Sequence, residues 1–222
     1  MFFWKQFPQG PCVPNCSCEF MQQSAFILQP YAFWSSLAYV LGSIFLYLQI
    51  KNRTFDFKLW TALNILLAFA SLFTHASFTK LALAMDFAGI VAVISFFSMM
   101  SLTVKLKRSN FSSSLIFFGY YLFLCLAFYS MSKWARIGLC VVIFWLSVGD
   151  MVRTMGWGFL KARMFIYSVL VIWISFGFFL LDELRVLCDP HGPIQGHTVW
   201  HFGTAFGIYL YGKWRFQTAR LG

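Results

Sequence analysis

The stretch Gly196-His197-Thr198-Val199-Trp200-His201 opens the last of several apolar segments in this chain. Its two histidines are four residues apart, so on a helix they share one face. The segment is long enough to cross a bilayer, and an ionisable residue at membrane depth is costly enough to mark a functional site by default. The chain has four histidines. A third, His75, ends another apolar segment one turn after Ser71, and Asp86 lies near the start of the segment that follows. The rest of the sequence reads as a scaffold that gathers Ser71, His75, Asp86, His197 and His201.

Of 222 residues, 60% are hydrophobic and 11% are charged. A soluble domain is about half apolar and about a quarter charged. The surplus falls into runs of roughly 20 residues, the length that spans ~30 Å of hydrocarbon. The chain therefore reads as an all-α, polytopic membrane protein forming one domain over residues 1–222, with no linker, repeat or low-complexity tract. The net charge of +10 does not point to nucleic acid, because the basic residues sit in short loops between apolar runs, where they report topology. Residues 1–29 lack the apolar core and small-residue cleavage site of a signal peptide.

Seven spans are predicted, at about residues 31–50, 59–77, 82–104, 113–131, 137–151, 164–181 and 194–211. A cysteine-containing head, residues 1–30, precedes them, and a basic tail, residues 212–222, follows. An odd number of spans puts the termini on opposite faces. The loops after the first, third and fifth spans, with the tail, carry twelve Lys and Arg; the other segments carry five, namely Lys5, Lys80, Lys133, Arg136 and Arg185. The positive-inside bias then sets the tail in the cytoplasm and the head outside or in a lumen. In that arrangement three separate spans bring Ser71, His75, Asp86, His197 and His201 to similar depth near the outer face.

Three imidazoles leave one corner of a tetrahedron open, which is the ligand set of a catalytic zinc site. Zinc acidifies water and polarises a carbonyl. Asp86 is placed to act as general base or to orient a ligand, and Ser71 to donate to a developing oxyanion. The chemistry expected is metal-assisted hydrolysis of an amide or ester, with an acyl-chain substrate supplied by the bilayer. A single membrane histidine commonly serves helix–helix hydrogen bonding, and a lone serine packs or bonds back to its own helix. Three histidines converging with a buried carboxylate favour the metal site. A proton relay through His and Asp is the competing reading. It requires polar residues continuing into the inner half, where few are found and Asp150 stands at the edge.

Cys12, Cys16 and Cys18 share the predicted outer side with Cys188. A disulfide from the head to the last outer loop is expected if that side is oxidising. A metal cluster is the alternative, but Cys-x3-Cys-x-Cys is not a specific spacing. Cys125 and Cys140 are expected to pack as small apolar groups, Gly203 and Gly207 to permit close helix approach, and His191 to be a solvated loop residue.

Ser71-x3-His75, Asp86 eleven residues further on, and Gly196-His197-x2-Trp200-His201 together resemble the motifs of the alkaline ceramidase family. That family belongs to a superfamily of seven-span hydrolases with the adiponectin and progestin receptors and the hemolysin-III-like proteins. The resemblance covers about residues 30–215. The short spacing from His75 to Asp86 and the outside head look more like the ceramidases than the adiponectin receptors. The resemblance implies Zn2+ held by His75, His197 and His201, with Ser71 as the oxyanion partner and Asp86 handling protons. It implies cleavage of ceramide, or another N-acyl lipid, to a sphingoid base and a fatty acid. A receptor-like relative with a largely structural zinc is the alternative within the superfamily. Animal and yeast members have an acidic, calcium-binding head. Only Glu19, after Cys18, echoes it here, so dependence on Ca2+ does not carry over. The short tail looks like that of a bacterial-type member, which implies the cell membrane; a eukaryotic member would lie in the ER or Golgi membrane.

Overall fold

A computed structural model describes residues 3–11, 17–22, 24–105, 108–155 and 163–218. Cys12 and Cys16 lie outside the described residues. Regular structure among the described residues is helical, apart from one antiparallel bridge between Gln9 and Thr79. A 3-10 turn at Phe3–Gln6 precedes α1 (Pro30–Ser35), α2 (Leu37–Gln49), α3 (Phe55–Ser77) and α4 (Lys80–Lys105). Then come α5 (Asn110–Ser130), α6 (Lys133–Met155), α7 (Arg163–Glu183) and α8 (Gly196–Thr218).

Local sequence explains the helix ends. Pro30 opens α1, where its missing N–H is no loss. Thr54 caps α3 by accepting from the Phe57 amide at 3.3 Å, and Ser109 caps α5 by accepting from Ser112 at 3.2 Å. α3 closes on Phe78 in the left-handed region, φ 46°. That conformation is unusual for a bulky side chain. It is held by the Gly10 amide, which donates to the Phe78 carbonyl at 2.7 Å. α1 and α2 form one span with a break at Ser36. The Ser35 and Ser36 hydroxyls both donate to the Ala32 carbonyl at 2.9 Å, a competition for backbone acceptors that bends helices.

Six helical segments are long and apolar enough to cross a membrane: Pro30–Gln49, Phe55–Ser77, Lys80–Met100, Asn110–Ser130, Lys133–Arg153 and Arg163–Glu183. The predicted seventh span falls on α8, a helix of 23 residues that does not reach the same apolarity. His197, His201, Lys213 and Arg215 dilute it. Other boundaries also move outward. α3 starts at Phe55 rather than residue 59, and α6 at Lys133 rather than residue 137. α8 runs through Lys213 and Arg215, which the sequence assigned to the tail. Asp182 and Glu183 end α7 instead of opening a loop. An apolar run marks only the hydrocarbon-buried part of a helix, whereas backbone hydrogen bonds continue to the caps.

α4 lies at the centre, flanked by α3, α5 and α6; α8 packs along α7 and against α2. The α7–α8 approach depends on absent side chains. A Cβ at Gly203 would overlap Ser175 Oγ, and one at Gly196 would overlap the Phe178 carbonyl. Small residues are the means by which membrane helices come close. By contrast α6 and α7 meet through side chains. Phe144 and Trp145 pack on Trp173, with ring centroids 5.8 and 5.3 Å apart, and Lys133 pairs with Glu183. Outward faces carry large apolar groups such as Leu126 (75% exposed) and Leu48 (70%), as a lipid-facing surface requires.

The head folds across one end of the bundle. Trp4, Met21 and Leu28 share a small core with Ala76, Phe78 and Leu83. The Gln29 amide donates to the His75 carbonyl at 3.0 Å, and Phe20 to Pro190 at 3.0 Å. The expected tie from the head to the last loop is the Cys18–Cys188 disulfide. Gly203→Ile should lower unfolding free energy by about 1–3 kcal/mol through overpacking. Gly138→Ala, where a Cβ meets nothing within 4 Å, should be neutral or slightly stabilising. Thermal unfolding in detergent checks both.

Candidate metal centre

His75 stands in the last turn of α3, and His197 and His201 in the first two turns of α8. Their rings form a nearly equilateral triangle: centroids are 4.9 Å apart for His75–His197, 5.0 Å for His75–His201 and 4.9 Å for His197–His201. One nitrogen from each lies within 4.8 Å of the others, so the cluster could hold a metal ion. His75 and His201 are 1% exposed.

The hydrogen bonds around the triangle decide which nitrogens are free. Gln29 Nε2 donates to the Glu19 carbonyl at 3.1 Å and to Ser17 Oγ at 2.6 Å. A carbonyl can only accept, so the Gln29 nitrogen must face it and Gln29 Oε1 must face His75. Oε1 lies 3.0 Å from His75 Nδ1, which therefore carries the proton. His75 Nε2 is left as a bare lone pair, and it is buried without a partner. The same logic applies to His201. The single Ser35 hydroxyl proton goes to the Ala32 carbonyl, so Ser35 Oγ accepts from His201 Nδ1 at 2.8 Å. His201 Nε2 then keeps its lone pair. His197 Nδ1 is buried and unpartnered as well. Bare nitrogens on three neighbouring imidazoles are a donor set that suits zinc, and hydrogen-bonded partners on the opposite nitrogens, as at His75 and His201, are how such ligands are oriented.

Ser71 and Asp86 join the histidines on the wall of one cavity, with about 1060 Å³ of non-atom space including its mouth. The Ser71 hydroxyl stands beside the Asp86 carboxyl, and its Oγ lies 3.0 Å from Ser36 Oγ. Asp86 is half-buried, its accessible edge turned to the cavity. All five residues singled out from sequence are thus brought together.

A second cluster, Asp182, Glu183 and His197, also has ligand atoms within 4.8 Å of one another, but its carboxylates are engaged. Asp182 accepts from the Cys18 amide at 3.1 Å and the His197 amide at 3.2 Å, and Glu183 pairs with Lys133. Glu19 is engaged with the backbone. Its two oxygens accept from the Tyr31 and Ala32 amides at 2.8 and 2.9 Å and so cap α1. Burial pushes the Glu19 carboxyl above the usual carboxylate range, against those two amides, and the nearby Asp182 carboxylate acts with burial. Cys125 and Cys140 are free thiols, and His191 is exposed against Phe20.

Sequence reasoning missed Gln29, Ser35, Ser36 and Asp182. The available signal was their polarity at or within apolar segments, in particular the Ser35-Ser36 pair inside the first span. No protein-family model matches the chain, and no curated protein matches it either. Gln29→Ala leaves all three imidazoles in place but frees His75 Nδ1. It should weaken divalent-metal binding by about 10–100-fold, measured by zinc titration against a competing chelator.

Proposed function

We propose that the protein is an integral membrane hydrolase that cleaves an N-acyl lipid such as ceramide to an amine and a fatty acid, using Zn2+ held by His75, His197 and His201. The carrying observation is that the three bare imidazole faces, Asp86 and Ser71 share a cavity whose remaining wall is largely apolar. Ile94, Phe144 and Ile172 line both this cavity and a second one that continues away from the head, past Val148, Met151 and Val169. That lane suits an acyl chain. The resemblance to the alkaline ceramidases points the same way.

Zinc, when bound, supplies Lewis acidity that polarises a carbonyl oxygen and acidifies water. The protein supplies the rest. Asp86 accepts a proton as the water oxygen bonds to the acyl carbon. The Ser71 hydroxyl donates to the carbonyl oxygen as negative charge develops on it. The C–N bond then breaks, the nitrogen leaves with the proton held by Asp86, and the acyl half leaves as a fatty acid. In this reading α8 is the seventh span, the head faces outside or a lumen, and the C-terminus is cytoplasmic. Lys133 and Arg136, counted as loop charges on the outer side, lie in α6.

A proton relay is the second reading. It is favoured by Ser43, Asn64 and Tyr209, which line a small cavity with Tyr39 beyond the metal centre, where Asn64 Oδ1 is unpaired. Metal content separates the two. Wild-type protein should carry about one zinc per chain, lost in His197→Ala together with ceramide cleavage. Ser71→Ala should keep the metal and lose about 10²–10³-fold in kcat. A folded wild type that binds no zinc even when it is supplied would sink the hydrolase reading.

A further inference from the structure

Arg136 is not used by the chemistry above. It lies in the first turn of α6, on the cavity face that also carries Lys133, Cys140 and Phe144, and it is 2% exposed. Its Nε donates to the Phe128 carbonyl at 2.8 Å, tying α6 to the last turn of α5. Among the described residues its two Nη groups have no hydrogen-bond acceptor, and no carboxylate forms an ion pair with it. Glu183 pairs with Lys133, Asp182 accepts two backbone amides, and Asp86, on the same cavity, stands beside Ser71 and forms no ion pair with Arg136. A guanidinium does not shed its charge in a protein. Burying one without an anion is strongly unfavourable, and the imbalance is relieved when an anion arrives. The Phe87 ring lies 5.9 Å from the guanidinium carbon, within cation–π range.

We infer that Arg136 is the receptor for an anionic oxygen group, a carboxylate or phosphate, on the amine half of the lipid substrate. The inference rests on the hydrolase reading for the word substrate, but the site itself does not. The geometry selects the amine half. The acyl lane runs away from the head, past Phe144 and Ile172. Arg136 stands at the other end, one turn from Lys133, whose partner Glu183 has a carboxylate oxygen within 4.8 Å of a His197 ring nitrogen. A lipid with its chain in the lane and its carbonyl at the imidazoles therefore presents its amine substituent to Arg136. The planar fork offers paired N–H donors to two oxygens of one group. Lys133 is already neutralised by Glu183, so Arg136 supplies the uncompensated positive charge on this wall.

Trp173 and Trp200 line the cavity and report occupancy by fluorescence. The full chain, treated with chelator so that metal cannot take the anion, is titrated with hexadecyl phosphate, palmitate and hexadecanol. Hexadecyl phosphate should bind at least about tenfold more tightly than hexadecanol. Arg136→Gln should erase the difference, and Arg136→Lys should keep part of it, with thermal unfolding monitored for both. In the zinc-loaded protein, an N-palmitoyl lipid with phosphate on its amine half should exceed its neutral counterpart in kcat/KM by a similar factor, again lost in Arg136→Gln. Equal binding of hexadecyl phosphate and hexadecanol by the wild type overturns the inference whatever the variants do. So does a preference that survives in Arg136→Gln, or one shown for palmitate alone, which would assign the site to the released acid. Hydrolysis of neither lipid, with the binding preference intact, would overturn the hydrolase reading and leave the anionic-lipid site standing.

Discussion

An imidazole buried in an apolar bundle needs a partner for one nitrogen and a use for the other. Much of this structure follows from meeting the first need for His75. The Gln29 side chain that serves it cannot be held by a loose loop, because its own amide must be oriented. Ser17 and the Glu19 carbonyl do that, and the Glu19 carboxylate in turn fixes the start of α1. The head is therefore part of the site rather than an appendage. The Cys18–Cys188 disulfide and the Cys18 amide on Asp182 anchor it to the end of α7, and Asp182 reaches the first turn of α8 through the His197 amide. One chain of contacts thus runs from His75 through the head to His197.

The same need shapes α8. A helix that carries two inward histidines has given up apolar surface, and lipid contact would leave them unsatisfied. α8 instead turns that face into the bundle, packing against α7, α2 and α1, and its glycines let α7 approach closely. Drawing α7 towards α8 leaves α6 held mainly by α4. The space between α6 and α7, spanned by aromatic rings and by one ion pair, is part of the cavity. The site and its access thus share an origin in the polarity of His197 and His201.

Sequence alone was informative about residues that are expensive at membrane depth. Their cost makes them rare, so His75, Asp86, His197 and His201 stood out against an apolar background, and the structure brings them to one cavity. The disulfide between the head and the last loop was legible for a related reason, since few cysteines were available on that side. What stayed hidden was cheap in one dimension. Gln29 looked like part of a polar head, Ser35 and Ser36 like tolerated small residues, and Asp182 and Arg136 like loop charges. Each gains meaning only from partners distant in sequence, 46 residues away for Gln29 and 164 for Asp182 with Cys18. α8 falls short of the apolarity of the other long helices because the histidines that mark the site also dilute it.

The hydrogen-bond network also bears on which chemistry the histidines can do. A relay needs each group to accept a proton on one side and release one on the other. Around this triangle most chains stop, although Ser36 Oγ also meets Ser71 Oγ at 3.0 Å and Ser71 stands beside Asp86. Ser35 and Ser36 end on the Ala32 carbonyl, and Thr204, which meets Tyr39, ends on the Trp200 carbonyl. Gln29 ends on the Glu19 carbonyl, and Asn64 turns its amide to the Trp60 carbonyl. Backbone carbonyls and carboxamides fix orientation but do not pass protons at neutral pH. A network that terminates in such groups holds the His75 and His201 rings still, each in one tautomer with its Nε2 free. That is what a metal site asks of its surroundings, and the one path that continues, through Ser36, Ser71 and Asp86, ends at the cavity.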